Sequence, residues 1–169
     1  MVWLSWMIIQ SASAATLTVA TDGTGDFREI QSAIDAASSG DVIALASGEW
    51  NESLNLNGKS ITIRGVSREA TIIDGQGEFD EMIVADEGET LRLESLTLSN
   101  AYHRGIILDG GGLEADDVLF DDVGSLEHFG GAIGANEADL TITNSRFFEN
   151  TAYDGGAIYA SGSMSIFIE

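Results

Sequence analysis

Apolar and polar positions alternate along most of this chain, in short runs separated by Gly, Asp, Asn and Ser. Leu91-Arg92-Leu93-Glu94-Ser95, Leu113-Glu114-Ala115-Asp116-Asp117 and Leu140-Thr141-Ile142-Thr143-Asn144 are three versions of one strand pattern. Strict alternation sends one set of side chains to one face of a strand. A second apolar anchor follows each run, at Leu98, Phe120 and Phe147. The string Gly-Gly-Ala-Ile occurs at 130–133 and again at 155–158, so its isoleucines stand 158 − 133 = 25 positions apart. Degraded copies precede it: Arg104-Gly105-Ile106-Ile107 lies 133 − 107 = 26 positions upstream, and Glu81-Met82-Ile83 another 107 − 83 = 24. A fixed period of this length with short apolar strands in every copy marks a stacked solenoid.

Three strands per copy, joined by small polar corners, predict an all-β, single-stranded parallel β-helix of about five coils stacked about 4.8 Å apart. Parallel crossovers take the right-handed sense, so the helix is expected to be right-handed. Leu91, Leu113, Leu140 and Met164 should then form one inward column, and Leu98, Phe120 and Phe147 another. Ser95, Asp117 and Asn144 should share a corner where a short polar residue adopts a left-handed backbone. The glycine pairs at 130–131 and 155–156 fit tight corners.

Residues 1–15 read as an export signal, with an uncharged apolar block from Met1 to Ile9 and an Ala12-Ser13-Ala14 cleavage pattern, but without an early Lys or Arg. Residues 16–56 read as an N-terminal cap. Thr16 to Ala20 alternates as a strand, and Asp26 stands three before Glu29, the spacing of a capping box. Ile30, Ala33, Ile34 and Ala37 follow helical spacing, with Gly40 as the stop and Asp41 to Leu45 as a buried strand. Residues 57–169 supply the coils. The chain stops inside the apolar run Ser165-Ile166-Phe167-Ile168-Glu169, which predicts a longer native chain or self-association through the last coil.

The chain has no cysteine, which removes disulfides, thiolate metal sites and cysteine nucleophiles. It has no proline, in keeping with uninterrupted ladders. Its formal net charge is −21, from 28 acidic and 7 basic residues, so nucleic acid and anionic lipid are poor partners. The acidic excess fits a solvated coat, such as an adaptation to high salt, or calcium binding at acidic corners.

Candidate chemistry is sparse. Asp116-Asp117 and Asp121-Asp122 are the densest carboxylate pairs, able in principle to bind calcium or to do acid/base work on glycosides. Alternation sends Asp121 and Asp122 to different faces, and Asp117 falls on the corner, so solvated corner residues are the expected reading. Asp109-Gly110-Gly111-Gly112 is a faint match to a calcium-binding nonapeptide, with Leu113 where glycine is needed. His103-Arg104, with Asp80 and Asp86 nearby, could serve a lyase as base and carboxylate-neutralising cation; exposure at a corner is the plainer expectation. His128 and Phe129 read as loop, and Asn51-Glu52-Ser53 is an N-glycosylation acceptor pattern. No catalytic residue or metal ligand is assigned on these grounds; no cofactor is required, and calcium is left open.

Ser145 to Ala152, running into Gly155-Gly156-Ala157-Ile158-Tyr159-Ala160, resembles the Phe-x-x-Asn and Gly-Gly-Ala-Ile repeat of chlamydial-type polymorphic outer membrane proteins. That resemblance implies a secreted or cell-surface β-helix, non-catalytic and adhesin-like, that displays its faces to a glycan or protein partner. Val19 to Glu52 is similar to the opening of pectin methylesterases and pectate-lyase-like proteins, in Asp22-Gly23-Thr24-Gly25-Asp26-Phe27, Ile30-Gln31-Ser32-Ala33-Ile34 and Ser47-Gly48-Glu49-Trp50-Asn51-Glu52. That second resemblance implies the cap. It also carries the alternative function, a pectate lyase, pectin esterase or glycoside hydrolase whose catalytic part lies beyond residue 169. The esterase's Gln-Asp-rich segments and Asp-Phe-x-Phe-Gly string are missing here.

Overall fold

A computed structural model describes residues 13–127, 129–162 and 165–169. Of the expected export signal, residues 1–12 lie outside that set; so do His128, Ser163 and Met164. The strands are β1 (Thr16–Val19), β2 (Val42–Leu45), β3 (Gly48–Trp50), β4 (Leu54–Asn55), β5 (Ile61–Arg64), β6 (Thr71–Asp74), β7 (Glu81–Ala85) and β8 (Thr90–Ser99). Then come β9 (Arg104–Asp109), β10 (Gly112–Asp121), β11 (Ile133–Asn136), β12 (Asp139–Thr143), β13 (Arg146–Phe148), β14 (Ile158–Ser161) and β15 (Ile166–Ile168). One helix, α1 (Ile30–Ala36), follows β1.

Every strand pairing is parallel and joins one coil to the next. A ten-stranded sheet runs β1-β2-β5-β8-β10-β12-β15, with β3, β6 and β13 on its second panel; β14-β11-β9-β7-β4 form a five-stranded sheet. The chain is thus the expected right-handed parallel β-helix, three-sided, of about six turns counting the partial ones.

The interior is built of columns. Leu113 pairs with Leu91 below and Leu140 above, and all three are buried. The next partner in that column is Ile166, 166 − 140 = 26 positions after Leu140, where Met164 was expected. Phe120 lies between Leu98 and Phe147, its ring stacked on Phe147 at 4.8 Å and 4°. A second column of isoleucines, Ile83, Ile106, Ile133 and Ile158, lines the other sheet. Each fully buried side chain of this size contributes roughly 1.5–3 kcal/mol.

Corners form columns too. Ser95, Asp117 and Asn144 have φ of 51°, 57° and 52°, the left-handed conformation expected for that position. In β8 and β10 this residue bends a ten-residue strand between the two panels. Asn100, Asp122 and Glu149 repeat the device at the next corner, with φ of 54°, 52° and 53°.

The cap differs from expectation in its details. Asp26 does not cap α1. Its carboxylate accepts from the Thr18 amide and hydroxyl at 2.9 and 2.7 Å and ties the loop to β1. The helix begins after Glu29, whose side chain makes no capping bond; the Glu52 carboxylate accepts instead from the Ile30 and Gln31 amides at 2.8 and 2.9 Å. Nor does Gly40 end the helix. Ala37 is the C-cap, and Gly40, at φ 95°, turns the chain into β2 three residues later. Ile30, Ala33 and Ile34 are buried as their spacing requires, closing the first coil.

Candidate functional site

The outward rows of the five-stranded sheet present the best-formed site. Alternation sends Val84, Ile107, Gly134 and Tyr159 outward in register, between the inward isoleucine column and the inward Ala85, Leu108, Ala135 and Ala160. Gly134 leaves a gap in that row. Arg104, at the start of β9, lies across it: a methyl group added at 134 would sit 3.4 Å from Arg104 Cδ. The result is a cleft of about 240 Å³.

Arg104 is the cation of the cleft. One Nη donates to Glu81 Oε1 at 3.1 Å, and Nε is buried without an acceptor among the described residues. Its side chain is 22% exposed, so it is not the solvated corner residue expected from sequence. Phe129 and Tyr159 form the wall, with ring centroids 5.0 Å apart, and Tyr153 meets Phe129 edge-on at 5.8 Å. All three rings are substantially exposed. The far side is a polar ladder: Asn136 Nδ2 donates to Asp109 Oδ1 at 2.7 Å, and Ser161 Oγ donates to Asn136 Oδ1 at 3.1 Å. A cation, an aromatic wall and a ladder of amide, hydroxyl and carboxylate groups can hold an amphipathic, acid-bearing ligand such as a uronate sugar.

The other sequence candidates go elsewhere. His103 Nδ1 lies 3.1 Å from Asp80 Oδ1 and its ring packs against Tyr102, in the turn before β9. Asp86 is exposed after β7. Asp116 accepts from Thr143 Oγ and Asn144 Nδ2 at 2.7 and 2.8 Å, and these bonds hold its carboxyl below the ordinary value. Asp117 pairs with Arg68 at 3.2 Å. Asp121 faces out beside Ser99, while Asp122 sits at the corner. The described residues hold no cluster of three or more His, Asp or Glu placed to bind a metal ion. A groove of about 430 Å³ on the second panel contains Arg68, Thr97 and Asp121, but Arg68 is committed to Asp117 and Thr97 to the Arg68 carbonyl.

No model of a known family matches this chain. A probable pectinesterase/pectinesterase inhibitor 17 of Arabidopsis thaliana is 34% identical over 91 residues, which cover 48% of this chain and 18% of the relative. A solved pectin methylesterase from carrot superposes with a TM-score of 0.46 at 18% identity, over 89% of this chain and 54% of that one. The chain therefore spans under a fifth of the curated relative and about half of the solved structure. No helix among the described residues is long and apolar enough to cross a membrane.

Sequence reading missed Phe129, Gly134, Tyr153 and Tyr159. The signal was present in the repeat itself: the residue after each Ile of Gly-Gly-Ala-Ile is the outward one, and it changes from Gly134 to Tyr159.

Proposed function

We propose that this chain is a pectin-engaging β-helix that holds a galacturonan-type polysaccharide along the outer face of β9, β11 and β14. The observation that carries this reading is Arg104 lying across Gly134 beside the Phe129–Tyr159 wall. Such a cleft runs along the stacking axis, where successive coils offer one subsite after another. The partial likeness to a pectinesterase supports pectin over an unrelated glycan or a protein partner, and supports it over the adhesin-like display reading. An extracellular site of action belongs to the proposal, as does an optional calcium ion brought by the polymer.

Ester hydrolysis is the activity to test. In this reading a carboxylate beside the bound ester activates water, and Asp109, held by Asn136 in the same cleft, is the candidate for that role. The experiment pairs two readouts on the purified protein: retention on immobilised pectin, and methanol release from methyl-esterified pectin. Retention that is lost in Arg104→Ala supports the reading; release lost in Asp109→Asn adds catalysis. A protein that neither binds pectin nor releases methanol overturns it.

A further inference from the structure

We infer that the cleft reads a single free carboxylate set among uncharged sugars, so that sparsely de-esterified galacturonan is its preferred ligand. This rests on the pectin reading above and adds the charge pattern of the polymer to it.

Two features oppose each other here. Arg104 brings a guanidinium whose planar donor edge suits a carboxylate. Among the described residues that edge has one partner, Glu81 Oε1 at 3.1 Å, and the side chain is 22% exposed. A ligand carboxylate would give the guanidinium the second acceptor it lacks. Yet the charged groups placed near Arg104 are carboxylates. Glu81 touches it, and Asp109 lies across the cleft. The whole chain carries −21. A field of this sign repels a polymer with a charge on every sugar. The cleft therefore offers one site for one negative charge. Beside it stands one wall of exposed rings, Phe129, Tyr153 and Tyr159, which suits the apolar face of a neutral sugar.

The test uses galacturonan oligomers of one length in three forms: fully methyl-esterified, with one free carboxylate, and fully de-esterified. Binding is measured calorimetrically at low salt and at about 0.5 M NaCl, where the screening length falls to a few ångström. The single-acid form should bind about tenfold more tightly than the esterified form, the worth of one charge-assisted contact. The fully de-esterified form should be weaker than the single-acid form at low salt, and the gap should narrow at high salt. Arg104→Gln should abolish the single-acid preference. Glu81→Gln, which removes the competing carboxylate, should instead strengthen single-acid binding, so a folding defect cannot mimic both results. Equal binding of the esterified and single-acid forms overturns this inference while leaving the pectin reading in place. Tightest binding of the fully de-esterified form at low salt also overturns it. Failure to bind any of the three overturns the pectin reading itself.

Discussion

The guanidinium of Arg68 lies 3.2 Å from the carboxylate of Asp117. The same Nη1 donates to the carbonyl of Asn144 at 3.1 Å. Arg68 comes from the turn between β5 and β6, whereas Asp117 and Asn144 are the left-handed corners of the β10 and β12 coils. Backbone ladders in a solenoid join only adjacent coils. Arg68 is a side-chain strap that reaches past its neighbour. Its side chain is 21% exposed and that of Asp117 34%, so screening leaves the ion pair a modest share. Arg68→Met should lower stability by about 1 kcal/mol in urea unfolding, and a double-mutant cycle with Asp117→Asn should show coupling. Additive losses would mean the Arg68–Asp117 pair carries no interaction of its own.

Helix α1 is held at both ends by the coil that follows it. Glu52 accepts from the first amides, and Lys59 Nζ donates to the Ile34 and Asp35 carbonyls, each at 2.8 Å. Both charges also suit the helix dipole. A seven-residue helix has little stability of its own, so these contacts fix its place over the first coil. Glu52→Ala is expected to cost about 1–2 kcal/mol. Hydrogen exchange should show the loss concentrated in residues 30–37; a uniform loss over all coils would refute the local role.

Much of this architecture was legible in sequence because a solenoid repeats. Leu91, Leu113 and Leu140 announce their column by spacing, and Ser95, Asp117 and Asn144 their corner by residue type. What escaped was set by partners far along the chain. The true cap of α1 is Glu52, 22 positions from the Ile30 amide it serves. Arg104 reads as an exposed corner residue until Gly134 is placed beneath it and Phe129 beside it, and those come from the next coil. Periodicity reports the inward face, whose residues repeat; a binding face is made where the outward residues stop repeating.

The two glycines of each Gly-Gly-Ala-Ile have different duties. Gly130 and Gly155 have φ of 70° and 65°. Gly131 instead sits where a methyl group would come within 2.3 Å of the Gly156 carbonyl and 2.6 Å of that of Thr151. At Gly156 the nearest contact for a methyl group is the Asn150 carbonyl, at 3.4 Å. Gly131→Ala should therefore destabilise by more than about 2 kcal/mol, since two backbone carbonyls must move. Gly156→Ala should cost less than about 1 kcal/mol. Thermal melts of the two variants side by side test this; equal losses would show that the Gly156 and Thr151 carbonyls do not constrain position 131.

Acid should weaken the fold through a small set of carboxylates. Asp26 is held below its usual value by hydrogen bonds from the Thr18 amide and hydroxyl, and Asp41 by the Ser38 and Ala15 amides. Asp116 is lowered by Thr143 and Asn144, and Asp22 by Thr24. A carboxyl depressed in the folded state contributes its full stability above the unfolded value, near 3.8 for Asp. That contribution is lost as pH falls through the lower folded value. The melting temperature should therefore drop steeply below about pH 4. A second effect runs the other way. At neutral pH the charge of −21 repels itself, so adding salt at pH 7 should raise the melting temperature. Measuring the acid limb in about 0.5 M NaCl screens that repulsion and isolates the carboxylates. Asp41→Asn removes one of them, so it should lower stability at pH 7 and make the remaining acid limb shallower. An unchanged slope would mean that Asp41 has the same affinity for protons folded and unfolded, and that its bonds to Ser38 and Ala15 do not anchor the start of β2.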